Sequence, residues 1–471
     1  MIPGRPTFRG AVQYPTILAY LFLGLIGLLD VTSSPAASVE ADWPRFLGPN
    51  GDNTSSETGL LDRWPTNGPP IVWDREVGIG YGAPSVRGDR LVLHHRVGDE
   101  EIVESMDAAT GKSHWRYSNL THYADPYGYN NGPRCAPTLT TNRCYTFGAE
   151  GKLTCLDLGT GKLVWQRDTA KDWNVPDAFF GVGSTPLVDA GQVYTMVGGQ
   201  PDSGMVAFGA DTGKTLWESV GEKSWHGKIK TGWRGEPPID WSREDKQASY
   251  SSPVLATIHG QRHLLCLTRQ GLVSLNPTNG SVRFVFWFRA TVPESVNAMN
   301  PIVQDDLILT SAAYYRVGTV LARVLPDGKT VATVWRNTNL EIHWNTPIYA
   351  NGSLYAFSGR NEPDATFRCV DFRTGEIRWE RNERWPAHST LQPAVFGRGS
   401  AILADGKIVA LGEGGLLGLF KLNSQRDEEV SRWQVPSLHY PCWAAPVLAH
   451  HRLFLRCENR LVCLNLAAAK K

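Results

Sequence analysis

Several features that would fix a role at once are missing from this 471-residue chain. Charge of one sign is missing: 47 Lys and Arg stand against 46 Asp and Glu, a formal net of +1. That balance removes the basic footprint of a general nucleic-acid binder. None of the eight cysteines is adjacent to another or spaced C-x-x-C, so thioredoxin-type redox chemistry and covalent haem attachment lack support. No G-x-S-x-G nucleophile elbow occurs. Gly412-Glu-Gly-Gly-Leu-Leu-Gly418 precedes no helical pattern and reads as a hairpin turn, not a phosphate cradle. The pairs His94-His95 and His450-His451 point to opposite faces along a strand and make poor joint metal ligands. The one long apolar run, 16–29, is shorter than the roughly 20 residues of a membrane-spanning helix. Behind Arg5 and Arg9, and before small residues ending near Ala41, it reads as an export signal or short anchor over 1–41.

What is present in quantity is Trp (17), Gly (47) and Pro (30), the composition of many turns and many short strands. One motif recurs at fixed spacing: Asp107-Ala-Ala-Thr-Gly111-Lys-Ser-His-Trp115, Asp157-Leu-Gly-Thr-Gly161-Lys-Leu-Val-Trp165 and Asp371-Phe-Arg-Thr-Gly375-Glu-Ile-Arg-Trp379. Looser copies end at Trp217 and Phe284, weaker ones at Trp335 and Trp433, and Trp73 has the closing strand without the turn. An independent register places a proline before a short apolar stretch at Pro84, Pro137, Pro186, Pro253, Pro301, Pro347, Pro393 and Pro446, about 52 residues apart. The two series interleave. Each unit reads as four short antiparallel strands, with Asp opening the last turn and Gly supplying its positive φ. Eight such units predict an all-β, eight-bladed propeller over 71–467, preceded by an extended segment 42–70 and followed by a tail 468–471. The last unit has three strands, and the orphan strand at Trp73 supplies the fourth, which closes the ring and removes both sheet edges.

The D-x-x-T-G-K/E-x-x-W motif resembles the tryptophan-docking motif of pyrroloquinoline quinone (PQQ)-type repeats. That family includes eight-bladed quinoprotein alcohol dehydrogenases and the non-enzymatic propeller lipoprotein of the outer-membrane barrel-assembly machinery. The opening Trp43-Pro-Arg-Phe-Leu-Gly-Pro-Asn-Gly51, with Glu57-Thr-Gly59, is similar to exported PQQ-like repeat proteins. The resemblance covers about 42–467. It implies a small buried residue two places before the Asp, a slot held here by Ser105, Cys155, Ala207, Ser274, Cys369 and Cys463. Cysteines there are read as packing groups, while Cys144/Cys155 and Cys457/Cys463 could also face one another across hairpins.

Ligands of propellers gather where loops enter the innermost strands. The candidate rim set is Tyr81, Asn131, Arg134, Ser184, Tyr250, Ser251, Asn297, Asn300, His343, Trp344, Asn345, His388, Gln392, His439 and Trp443. Of these, His343, His388 and His439 are the one constellation that could converge on a metal. Two insertions carry aromatics: 218–248 with Trp225, Trp233 and Trp241, a candidate partner surface, and 117–134 with Tyr123, Tyr127 and Tyr129. For a quinoprotein dehydrogenase the resemblance implies Ca²⁺ on acidic and amide oxygens, an Asp base and, in many members, a disulfide between adjacent cysteines. The rim offers Asn297, Asn300 and Asn345 without a partnering carboxylate. The reading is therefore a monomeric, exported, non-enzymatic binding or scaffold module for an envelope protein, polar small molecule or glycan, with no catalytic residue, metal or cofactor. A PQQ- and Ca²⁺-dependent alcohol or sugar oxidoreductase is the alternative, and a carbohydrate-binding propeller the second.

Overall fold

In the turns that carry the full motif, the leading aspartate builds the turn. Asp107 accepts hydrogen bonds from the Thr110 amide and hydroxyl, both at 2.7 Å, and Asp157 does the same with Thr160. The glycine that ends the turn sits at φ of 69–73° in Gly111, Gly161 and Gly375, a region that side chains avoid. In the computed structural model, residues 42–469 are described except 176–179, 200–201, 222–229, 232–235, 237–238, 241–248, 293, 362–364, 382 and 384–394. Trp225, Trp233, Trp241, His388, Gln392 and the 1–41 segment therefore lie outside the described residues.

The turns join strands into eight four-stranded antiparallel sheets, the blades, at 85–120, 138–168, 187–219, 254–287, 302–337, 348–381, 400–434 and 447–465. Blade 8 is completed by Ile71–Glu76, which pairs with Arg460–Asn465 and places Trp73 opposite Cys463. The predicted closure of the ring is thus present.

Adjacent blades are joined by the motif tryptophans. Trp115 faces Ser105, Trp165 faces Cys155, Trp217 faces Ala207 and Trp379 faces Cys369 across the outer strand pair, and a bulge follows each small residue. A small side chain there leaves room for the indole to lean onto the next blade. Its N–H then donates to a carbonyl of that blade's turn: Trp73 to Ala108, Trp115 to Leu158, Trp165 to Ala210, Trp217 to Pro277, Trp335 to Phe372 and Trp379 to Asn423, all at 2.7–3.1 Å. In five of these contacts the indole ring covers the turn glycine, at Gly111, Gly161, Gly213, Gly280 and Gly375, while the turn that Trp379 meets has no glycine. Trp433 departs from this register: it faces Leu417, while Ser431 holds the motif position opposite Leu419, and its ring lies against Gly68 of the N-terminal segment.

All eight cysteines are buried free thiols. The hairpin pairings fail on register: Tyr145, not Cys144, stands opposite Cys155, and Phe454 stands opposite Cys463. Cys155, Cys369 and Cys463 are fully buried beneath their tryptophans, as packing groups.

Two glycines separate backbone from packing demands. Gly161 and Gly191 have φ of 72° and 75°, yet a Cβ on Gly161 would stand 2.5 Å from the Trp115 ring and one on Gly191 would meet nothing within 4 Å. Gly161→Ala is expected to lose about 1–3 kcal/mol more stability in urea unfolding than Gly191→Ala, the usual cost of overpacking. Equal losses would remove the indole contact from this account.

Candidate functional site

The innermost strands surround an axial channel, and the segment after Asp42 runs across it. Trp43 exchanges backbone hydrogen bonds with Val86 of blade 1, and the Pro44 carbonyl accepts from Leu139 of blade 2. The segment then reaches blade 7, where Asn53 and Ser55 bond Leu403, and blade 6, where the Asn53 amide donates to the Thr346 carbonyl at 2.8 Å. Phe46, Leu47 and Asn53 form the floor of a cavity of about 230 Å³ at the loop end of the channel. A second cavity, of about 170 Å³, shares Phe46 and Thr185 with the first and lies between Arg45 and Asn50 and the inner strands of blades 3 and 4.

Aromatic rings wall the upper cavity. A chain of contacts runs from Tyr250 to Phe180 (5.5 Å between centroids), Tyr129 (6.0 Å), Trp443 (5.8 Å), Trp344 (5.2 Å), His343 (4.7 Å) and Tyr314 (5.2 Å), with Tyr81 packed on Trp443 at 4.9 Å. Two guanidinium groups share the wall. Arg398 lies 4.8 Å from the Trp344 ring and 5.4 Å from that of Trp443, and Arg134 lies 5.8 Å from Tyr81. Each is fixed from behind by a buried carboxylate: Arg398 by Glu413 at 2.9 Å, Arg134 by Asp125 at 2.5 Å. Glu413 also accepts the Trp443 N–H at 3.1 Å, so carboxylate, guanidinium and indole form one rigid unit. Among the described residues, no carboxylate lines the cavity itself. The buried Trp344 Nε1 and Asn53 Oδ1 find no hydrogen-bond partner there among the described residues.

The structure brings Tyr81, Arg134, Tyr250, His343, Trp344, Asn345 and Trp443 of the predicted rim to this cavity. The other described members serve the backbone or lie apart. Asn297 donates to the Thr268 and Phe288 carbonyls, Asn300 accepts from the Ser252 amide and borders the lower cavity, and Asn131 accepts from the Asp125 amide. The Ser184 hydroxyl accepts from Met196 and the Ser251 hydroxyl donates to Ser252. His439 is exposed and bonded to Asn459, away from the cavity that His343 lines, so these two do not share a metal site. Tyr129 arrives from the 117–134 insertion. Phe180, Tyr314 and Arg398 carried no sequence signal of their own. For Arg398 the cause is specific: seven inner strands start directly after their register proline, whereas in blade 7 the strand starts at Ser400, well past Pro393.

Burial, with Arg398 and Arg360 nearby, pushes His343 down to about 3, so its ring is neutral and its environment opposes a further positive charge. The unfolded chain takes up this proton near the ordinary value of 6.5 and the folded one only near 3, so the contribution of this site to stability is complete above 6.5 and falls as the pH drops towards 3. His343→Gln should therefore lose less stability than the parent chain between pH 7.5 and 4.5 in urea titrations; identical losses would contradict a buried neutral imidazole.

Comparison with known proteins adds the following. A family model described as outer membrane protein assembly factor BamB matches residues 65–232 and 99–381. The dehydrogenase subunit of alcohol dehydrogenase (quinone) from Komagataeibacter europaeus is 32% identical over 231 residues, a match spanning 43% of this chain and 29% of that relative. The chain thus covers less than a third of the relative's length. Among solved structures, BamB from Moraxella catarrhalis aligns with a TM-score of 0.56 at 14% identity, over 85% of this chain and 99% of its own. Quinohemoprotein alcohol dehydrogenase from Comamonas testosteroni aligns with a TM-score of 0.61 at 12% identity, over 92% of this chain and 82% of its own. At such identities the structural matches speak for the fold. The expectation of no cofactor is corrected here: relatives named for quinone and quinohemoprotein chemistry point away from a cofactor-free reading.

Proposed function

This chain belongs to the propeller family described as outer membrane protein assembly factor BamB, and we propose that its upper cavity binds a planar, anionic quinone of the PQQ type. The observation that carries the reading is the wall itself: stacked aromatic faces, two guanidinium groups and no carboxylate among the described residues. Flat rings offer stacking surface to a flat ligand, and guanidinium groups offer fork-shaped donors to its carboxylates or quinone oxygens. The partnerless Trp344 N–H and Asn53 carbonyl oxygen supply a donor and an acceptor towards such a ligand. Likeness to alcohol dehydrogenase (quinone) over part of the chain supports the same reading.

A quinone supplies two-electron redox chemistry when bound. The chain's own part is to stack it, hold its oxygens against Arg134 and Arg398 and, with Phe46 and Leu47 beneath, keep water from its lower face. A divalent cation beside it does not fit: among the described residues the wall holds no carboxylate and offers only the two amide oxygens of Asn53 and Asn345, too few hard ligands for such an ion. The nearest carboxylates are engaged, Asp125 by Arg134, Glu413 by Arg398 and Glu458 by Asn130. No alcohol-oxidation step through a metal is derived from this site. Paired guanidinium groups also favour an anionic ligand over a neutral glycan.

The family description supports a second reading, a docking surface for a protein partner in the envelope. Among the described residues, no helix is long and apolar enough to cross a membrane. Titrating the full chain with PQQ while following tryptophan fluorescence and quinone absorbance distinguishes the two. Saturable one-to-one binding is expected, weakened about tenfold in Trp344→Ala or Trp443→Ala, equivalent to about 1.4 kcal/mol of lost stacking. Absence of binding, or binding indifferent to both substitutions, together with retention of an envelope protein, would leave the partner reading in its place.

A further inference from the structure

Six of the eight cysteines, Cys135, Cys144, Cys155, Cys266, Cys369 and Cys463, are fully buried. Cys442 and Cys457 differ, with exposures of 3% and 2%, and both converge on one residue. The Cys442 sulfur lies 3.1 Å from the His439 carbonyl oxygen, and the Cys457 sulfur lies 3.7 Å from His439 Nε2 and 3.9 Å from Asn459 Oδ1. His439, which touches both sulfurs, is itself exposed. The chain path explains the meeting: Cys442 lies in the loop entering the inner strand Val447–Ala449 of blade 8, and Cys457 directly follows its neighbour Arg452–Arg456. The residue after Cys442 is Trp443, whose ring walls the cavity and bonds Glu413.

We propose that Cys442 and Cys457 form a thiol–disulfide couple, oxidised by exchange with a small disulfide, that fastens the Trp443 wall of the cavity to blade 8. The chemistry of the two sulfurs is complementary. A hydrogen bond from Cys442, followed by contacts with His439 and Asn459, pulls the Cys457 thiol down to about 5 against the opposing effect of burial, while Cys442 is pushed up. Every other cysteine with a shifted value is pushed up by burial. Cys457 is therefore the attacking thiolate and Cys442 the resolving thiol. In the first step the Cys457 thiolate attacks one sulfur of the small disulfide, forming a mixed disulfide and expelling one thiolate, which is protonated. In the second, Cys442 gives up its proton and attacks the Cys457 sulfur, forming the internal S–S bond and expelling the second thiolate. Two protein thiols are oxidised and one external disulfide is reduced to two thiols.

The test uses the full chain without any quinone, so its outcome is independent of the function proposed above. Incubation with oxidised glutathione, acid trapping and peptide mapping should yield one cross-link, 442 to 457, and six remaining thiols. In separate trapping of the reduced protein, iodoacetamide should label Cys457 ahead of the other cysteines, with a rate that levels off above pH 6. Cys442→Ala should stop at the glutathione mixed disulfide on Cys457. If that variant does not fold, the labelling profile of the parent chain decides by itself. Eight thiols persisting in oxidised glutathione, a cross-link elsewhere, or Cys457 labelling that climbs through pH 8–9 like an ordinary thiol would overturn the proposal. Stoichiometric zinc retained on the pair, blocking both reactions, would overturn it as well.

Discussion

Five of the eight blade interfaces rest on an indole laid over a turn glycine. The contact does two things at once: it buries a large flat ring between sheets, and it spends the ring's single N–H on a carbonyl that the tight turn leaves exposed. Both demands converge on the turn. A residue with a Cβ is excluded by the positive φ and again by the ring above it, and the residue facing the indole across the strand pair must be small. Where the rule lapses, the structure substitutes. Blade 4 uses Phe284 in place of an indole, and Trp433 of blade 7 lies on Gly68 instead of on a motif turn. Orientation of the blades, and therefore the width of the channel they enclose, follows from this one contact.

This is why the fold was readable from the chain and the site only partly. Turn aspartates, glycines and tryptophans are local signals at constant spacing, and the missing strand of the last unit announced the pairing with the segment at Trp73. The site is assembled from loops that are remote in sequence and adjacent only once the ring has closed. Tyr81, Trp344 and Trp443 were found because a register proline marks each loop. Arg398 was not, because blade 7 enters its inner strand from Gly399 and the proline had slipped upstream. Glu413 was hidden for another reason: in a glycine-rich turn it looked like a surface residue, and only the fold shows that it is fully buried beneath Arg398. Cys144 and Cys155 illustrate the reverse error, since a shift of one position turns a side chain to the opposite face of its sheet.

The wall of the upper cavity is polar behind and aromatic in front. Placing the carboxylates one layer back pairs Arg134 and Arg398, which lowers the cost of burying them, and holds the guanidinium planes against the rings. A ligand then meets a surface that needs little rearrangement to receive it, which lowers the entropic cost of association. The same arrangement ties recognition to the fold, because Glu413 comes from a hairpin of blade 7 while Trp443, which it also bonds, belongs to the entry loop of blade 8.

Phe46 has a wider consequence. Its ring borders both cavities, and the backbone around it is stitched to blades on opposite sides of the ring. The segment that carries Phe46 therefore crosses the channel between two cavities. Phe46 and Thr185 belong to the walls of both chambers, so a guest in one leans on a surface of the other.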